Sequence, residues 1–330
     1  ATLSAISGAA FAQSSVTLGG IVDLGYSTAA VKVDGDTVAK SKGMSDGVQN
    51  GGRLFFKAVE DLGGGLKASA NLEYSITPAT KAQTFDSRQS YVDLTGGFGS
   101  FRMGRQYTVH HNNQGAGDML GNFSNAGYLG SMDSLVRADN ALVYISPSFN
   151  GFTVAGEVVT DPSVAAPGAD KATGSGVSVS YAAGALAAGY AHETLKNGAF
   201  DAAKLLGANR DADLAIAAYD KRTANSLMAS YDFGVAKVGF VNNNTKYDTV
   251  KFKANTLSVK APMGSVTLLA SIGSGKITEG ADSVKLSAYQ IGAQYALSKN
   301  TNLYAITGQT KYKEAAIKFN QTSVGVKFGF

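Results

Sequence analysis

The chain has no cysteine and no tryptophan among its 330 residues, and only 5 prolines. Without cysteine there is no disulfide, no thiolate nucleophile and no thiolate metal site. Charged residues make up 16%, against about a quarter in ordinary soluble proteins. No apolar run reaches the ~18–20 residues that a membrane-spanning helix needs. Helical periodicity is nearly absent, and no phosphate loop, dinucleotide fingerprint or nucleophile elbow occurs. The net charge is +4. Its lysines and arginines are scattered along the chain, which argues against the basic stripe of a nucleic-acid footprint.

Glycine, by contrast, is abundant at 40 residues, with 15 tyrosines and 16 phenylalanines. The dominant pattern is alternation with period two, the signature of strands with one apolar face. Leu66, Ala68, Ala70, Leu72, Tyr74 and Ile76 oppose Lys67, Ser69, Asn71, Glu73 and Ser75. Val266, Leu268, Ala270 and Ile272 oppose Thr267, Ser271 and Gly273. Short breaks fall at 61–65, 95–99, 146–151, 182–185, 232–234, 262–264 and 298–301. Longer polar stretches, such as 28–49, 107–139, 161–175 and 194–221, alternate with them. Seven short turns interleaved with eight loops give sixteen strands, with every long loop at one edge.

Polar residues on alternate positions would also suit a soluble sandwich. Three features favour a membrane barrel. The strands run about ten residues, enough to cross a bilayer when tilted. Aromatics such as Tyr26, Tyr74, Phe101, Tyr190, Tyr231 and Phe328 gather near strand ends, as interfacial girdles do. Residues 1–12, "ATLSAISGAAFA", are apolar, uncharged and close on Ala10, Phe11 and Ala12. That ending matches the tail of a secretory signal, so the expectation is a residual signal segment at 1–12 and one barrel domain at 13–330. A barrel satisfies every backbone group inside the bilayer without an open edge. Closure then pairs the strand at 16–27 with the one at 320–330, where Val324, Val326, Phe328 and Phe330 alternate with Ser323, Gly325, Lys327 and Gly329.

Specific stretches carry a family resemblance. "SSVTLGGIVDLGYS", "GGRLFFKAVEDLGGGLKASANLEYS", "SRQSYVDLTGGFGSFRMGRQY", "RADNALVYISPSFNGF" and the terminal "VGVKFGF" resemble segments of Gram-negative trimeric general porins of the beta-proteobacterial type. The resemblance implies an all-β fold: a 16-stranded antiparallel transmembrane β-barrel with an inward-folded third loop, here 107–139. It implies a homotrimer in the outer membrane. The expected partners are outer-membrane lipid, lipopolysaccharide, the outer-membrane insertion machinery, and small ions and solutes in transit. It implies passive diffusion through a water-filled channel, with no enzymatic activity, cofactor or metal.

Such a pore selects by diameter and by the sign of charge at its narrow zone. The resemblance places Arg53, Arg88, Arg105 and Arg137 in a basic ladder on the wall, with Asp118 and Asp133 as facing acids on the inward loop. Lys57 shares the parity of Arg53 and is expected to add to the ladder. Arg105 departs from parity, because it falls on the side of Phe101 and Met103; a bulge would be needed to re-aim it. A moderate anion preference follows. Phe330 is the expected assembly signal. Two alternatives are a solute-specific channel and a barrel-type outer-membrane hydrolase. His110 and His111 beside Asp118, and the pair His192 and Glu193 at a strand end, are expected to be polar residues without a chemical role. Residues 201–220 form the one helix-compatible segment.

Overall fold

A computed structural model describes residues 14–79, 85–121, 126–131, 135–160, 173–201 and 216–330. The candidate signal segment at 1–12 lies outside them. The first half of the wall is built from β1 (Ser15–Val33), β2 (Asp36–Asp46), β3 (Arg53–Gly63), β4 (Leu66–Ser75), β5 (Ser87–Gly96) and β6 (Gly99–Tyr107). A short helix, α1 (Val109–Ala116), precedes β7 (Arg137–Ile145), β8 (Phe152–Val159) and β9 (Thr173–Ala183). The second half comprises β10 (Leu186–Asp201), β11 (Ile216–Asp232), β12 (Lys237–Tyr247), β13 (Val250–Met263) and β14 (Val266–Glu279). It ends with β15 (Asp282–Ala296), β16 (Thr301–Tyr312) and β17 (Ile317–Gly329).

Each strand pairs antiparallel with its neighbours, and β17 returns to β1 in a register running from Ile21↔Gly329 to Val33↔Ile317. The barrel is therefore closed. β1 meets β2 over its upper half and β3 over its lower half, so β2 and β3 share one place in the wall. Seventeen strand segments thus occupy sixteen positions. The split arises at "DGVQNGG". There the backbone turns inward at Gly47 (φ 65°), and the Asp23 carboxylate accepts from the amides of Gln49 (2.7 Å) and Asn50 (2.6 Å).

The seven short turns fall where the alternation breaks, at one edge of the barrel. Two polar stretches differ from expectation. Residues 28–49 are mostly strand, because Asp34 (φ 52°) and Gly35 (φ 97°) make a tight hairpin turn between β1 and β2. An Asp-Gly pair with positive φ fits that turn. The helix-compatible segment also differs: β10 extends to Asp201 and β11 starts at Ile216, so its described ends are strand. Residues 202–215 lie outside the described residues.

Outward positions form an apolar belt, with Leu72, Met103, Leu142, Leu227, Ile272 and Ile291 among the exposed residues. The core lies on the inner side instead, where the described parts of 108–136 run along the wall. Val109 packs among Ala138, Ala141, Val143 and Val159. Leu120 packs with Val48, Leu269, Tyr304 and Ile306. Leu129 packs with Phe252, Ala254, Leu286 and Tyr312. Three apolar side chains therefore pin one segment to three sectors of the interior.

Candidate functional site

Thr108 fixes both ends of this inward segment. Its hydroxyl accepts from the His111 amide (3.1 Å) as the helix N-cap and donates to the Leu135 carbonyl (3.0 Å). Helix α1 lies against β8 to β11. Asn113 donates to the Ser226 carbonyl (3.1 Å) and hydroxyl (2.8 Å), and Gln114 donates to Asn243 (2.9 Å). Farther along, the Met119 amide donates to Ser258 (3.1 Å) and the Gly127 amide to Thr310 (3.0 Å). These partners come from inward positions of β11, β12, β13 and β16, and all are buried.

Beneath α1 lies a charged anchor. Glu157 accepts from the Val109 amide (2.8 Å), satisfying one of the free donors at a helix start. Glu193 and Arg222 form a fully buried ion pair, and Arg222 also donates to the Tyr247 hydroxyl (3.3 Å). His110 is fully buried beside them. Burial and the nearby cations Arg222 and His111 push its pKa well below the ordinary histidine value, so it is neutral. His192 and Glu193 are therefore not at a strand end as expected. They sit within β10 and point to opposite faces, with His192 bonded to Asn225 (2.9 Å). Among the described residues no group of three His, Asp or Glu could hold a metal ion.

The densest constellation of charge lies where β3, β5, β6 and β7 approach the inward segment. Glu73 of β4 is at its centre. The Arg88 Nε donates to Glu73 Oε1 at 2.5 Å, and Arg53 Nη1 stands 3.5 Å from the same oxygen. Arg88 and Arg137 both donate to the Tyr107 hydroxyl, at 3.2 and 3.1 Å. The Arg137 guanidinium also lies over the Tyr107 ring, 4.7 Å from its centroid. His111 stacks on that ring, at 5.1 Å between centroids. Arg53 is held by its Nε bond to the Gly51 carbonyl (3.0 Å). Three guanidinium groups thus share one carboxylate and one phenol.

Simple alternation would send Arg88 outward with Val92 and Leu94, both exposed. The register of β4 with β5 shifts between Glu73↔Gln89 and Tyr74↔Ser87, which leaves Arg88 as the extra residue of a bulge. The bulge turns its side chain inward. A second irregularity lies between β6 and β7, where Gly104 pairs with Ala141 and Gln106 with Ala138. Arg105 stands there. It bonds the Ser87 carbonyl (2.8 Å) and pairs with Asp139, apart from the shared Glu73. Lys57 keeps the parity of Arg53 but lies toward the short-turn edge, opposite Thr17 and Asn71. Asp118 follows α1, where its carboxylate accepts from the Leu120 amide (2.8 Å). Asp133 lies outside the described residues. Phe330 exchanges backbone hydrogen bonds with Gly20 (3.0 and 3.1 Å), and its ring stacks on Phe328.

The structure thus brings Arg53, Arg88 and Arg137 together and sets Arg105 and Lys57 aside. Sequence reasoning passed over Glu73, Tyr107 and Asp23. Glu73 carried a usable signal, since it is an acid on the inward parity of the hairpin that holds Arg53.

A family profile described as Gram-negative porin matches residues 1–315. The chain is 31% identical to outer membrane porin protein 32 of Delftia acidovorans, covering 94% of this chain and 88% of that one. It is 29% identical to an outer membrane porin protein of Bordetella pertussis, over 99% and 96% of the two chains. Among solved structures it resembles the anion-selective porin from Comamonas acidovorans, with a TM-score of 0.78, 26% identity and coverage of 96% and 100%. A closed sixteen-position barrel, an apolar outer belt and these matches agree: this chain belongs to the Gram-negative porin family and is an outer-membrane porin.

Proposed function

We propose that the channel passes small hydrophilic solutes by passive diffusion, prefers anions, and performs no catalysis. The observation that carries this is the clustering of three guanidinium groups about one carboxylate: Arg53 and Arg88 share Glu73, and Arg137 joins Arg88 at the Tyr107 hydroxyl. The local balance is positive, and guanidinium groups keep their charge at any workable pH. A low-dielectric wall focuses the field of such a group and raises the local concentration of counter-ions. The inward segment narrows the lumen beside it, so a passing ion meets that field at close range. Arg105 and Lys57 add to the field from either side of the cluster. Asp118, just after α1, supplies a negative side to this field, and the same part is assigned to Asp133 by the family resemblance alone. The Comamonas porin, anion-selective by name, agrees in sign.

The porin works as a homotrimer, by resemblance to its family, and Phe330 serves as the signal read by the insertion machinery. The test is planar-bilayer recording of the purified trimer in a salt gradient. A reversal potential of the sign set by anions is expected. Cation selectivity would overturn the role given to the arginines, and absence of conductance would overturn the channel itself.

A further inference from the structure

Between β2 and β3 the chain leaves the wall. On one side of the gap Asp46 pairs with Leu24, and on the other Arg53 pairs with Ile21, so only Val22 and Asp23 of β1 lie between the two ladders. The facing chain crosses that gap with six residues, "GVQNGG", from Gly47 to Gly52. The surplus turns into the lumen. Val48 packs on Leu120 of the inward segment and on Tyr304 and Ile306 of β16. The Asn50 side-chain amide donates to the Gly121 carbonyl of the inward segment (3.1 Å). The Gly51 carbonyl accepts from Arg53 Nε (3.0 Å), and a methyl on Gly51 would begin 3.1 Å from Arg88 Nη1. One turn thus touches the inward segment and two guanidinium groups of the cluster.

Asp23 takes the place of the missing strand partner. Its backbone carbonyl accepts from the Gly47 amide (2.9 Å), and its Oδ2 accepts from the amides of Gln49 (2.7 Å) and Asn50 (2.6 Å). Its Oδ1 accepts from the Tyr304 hydroxyl (2.7 Å). Hydrogen bonds to a carboxylate are about twice as strong as those between neutral groups. The side chain is fully buried, and a buried charge is tolerated only when bonded in this way.

Lys327 completes the arrangement. It lies directly opposite Asp23 in the pairing of β1 with β17, on the inward parity of Ser323 and Gly325. Its Nζ donates to Asn50 Oδ1 (3.2 Å), so one amide group ties the lysine to the inward segment. Among the described residues Lys327 makes no ion pair. Asp23 attracts it from within the wall, and Arg53 and Lys260 are near enough to repel it. Lys327 is half-buried while Asp23 is wholly covered. An ion in the lumen therefore meets the ammonium first, with the carboxylate behind it.

We propose that the turn at 47–52 is a second element of the narrow zone, with Asp23 as its positioning residue and Lys327 as a fourth cation that determines specificity. The positive face then continues from Arg53 across the seam to β17. The proposal rests on the channel reading above.

The test is planar-bilayer recording of the full-length porin, with each variant compared with the parent. Lys327→Gln should lower the anion-to-cation permeability ratio about threefold, the effect of losing one unit charge about 7 Å from the passing ion in screened water. Lys327→Arg should stay nearer the parent. Asp23→Asn separates position from charge. If charge alone counted, removing a carboxylate would raise the ratio. Releasing the turn lowers it, because Arg53 and Lys327 lose their fixed places, and it widens the pore. The expected result is a lower ratio with a higher single-channel conductance. If Asp23→Asn does not refold, Tyr304→Phe removes one bond to the carboxylate without changing charge, and should move both quantities the same way by less. An unmoved ratio in Lys327→Gln, an equal loss in Lys327→Arg, or a ratio not lowered in Asp23→Asn or its stand-in would each overturn the proposal alone. A parent without conductance would overturn the channel and the proposal together.

Discussion

At the scale of single residues, the arginine cluster is a balance of repulsion and one shared anion. Glu73 and Arg88 have side chains about one-tenth exposed, so their contact is poorly screened by water. Removing the charge in Glu73→Gln leaves three guanidinium groups facing one another. The expected result has two parts: anion preference rises, and barrel stability falls by about 1–3 kcal/mol, the usual cost of leaving a buried polar group unpaired. Reversal potential and thermal unfolding measure the two separately. Arg88→Gln should move selectivity the other way, toward cations, and more than Lys57→Gln, since Lys57 stands apart from Glu73. Equal effects from the two variants would show a diffuse field and no focused site. At the seam, a side chain on Gly20 would begin 2.5 Å from the Phe330 ring. Gly20→Val should therefore cost about 1–3 kcal/mol through overpacking, read as a lower midpoint for heat unfolding.

At the scale of elements, the inward segment is attached by pegs whose partners are far away in the chain. Leu129 is fully buried among residues of β13, β15 and β16. Leu129→Ala should loosen the segment by about 2–5 kcal/mol, the usual cost of truncating a buried leucine, and should appear as larger and noisier single-channel conductance. Helix α1 carries a pH dependence of its own. His110 is neutral when docked, with its pKa held well below the ordinary histidine value of 6.5. An undocked histidine takes up a proton near that value, so the undocked state binds more protons as pH falls through it. Docking therefore weakens by about 1.4 kcal/mol for each pH unit below 6.5, until the docked ring protonates too. Protease cleavage of the segment should rise more steeply from about pH 7 to about pH 5 in the parent than in His110→Gln.

The same scale shows what the sequence could and could not reveal. The alternation and the seven short turns are local patterns, and each led to the right element. The inward aim of Arg88 was not readable, because its bulge is a property of two paired strands and exists only once Glu73 has met Gln89. The parity rule applied to β5 alone sends that side chain outward. The pegs were hidden for a related reason: Gln114 and Asn243 meet across more than a hundred residues, and an amide on an inward position announces no partner. Residues 28–49 misled because polar outward positions above the apolar belt look like a loop, although they continue the strands.

At the scale of the whole molecule, closure and charge act together. The register of β17 on β1 leaves no free edge, so the wall is a closed cylinder. Selectivity then depends on how far the charge of the cluster reaches into the aqueous gap. Surface charges elsewhere on the lumen, such as Lys57, are exposed to water and act only within a Debye length, about 10 Å at 0.1 M salt and about 3 Å at 1 M. The guanidinium groups are partly buried in the wall, with Arg53 showing 18% side-chain exposure and Arg88 9%, and their field is screened less. Anion preference should fall as salt is raised from about 0.1 M to about 1 M, because the distant charges are silenced first. It should level off above zero, because an ion in the narrow zone still passes within a few ångströms of Arg53, Arg88 and Arg137. The same titration on Arg88→Gln should fall further and level off lower. Permeability ratios from reversal potentials at stepped salt concentrations measure this. A parent curve that decays to no preference at about 1 M would mean that the distant lumenal lysines, and not the cluster around Glu73, set the sign of the channel.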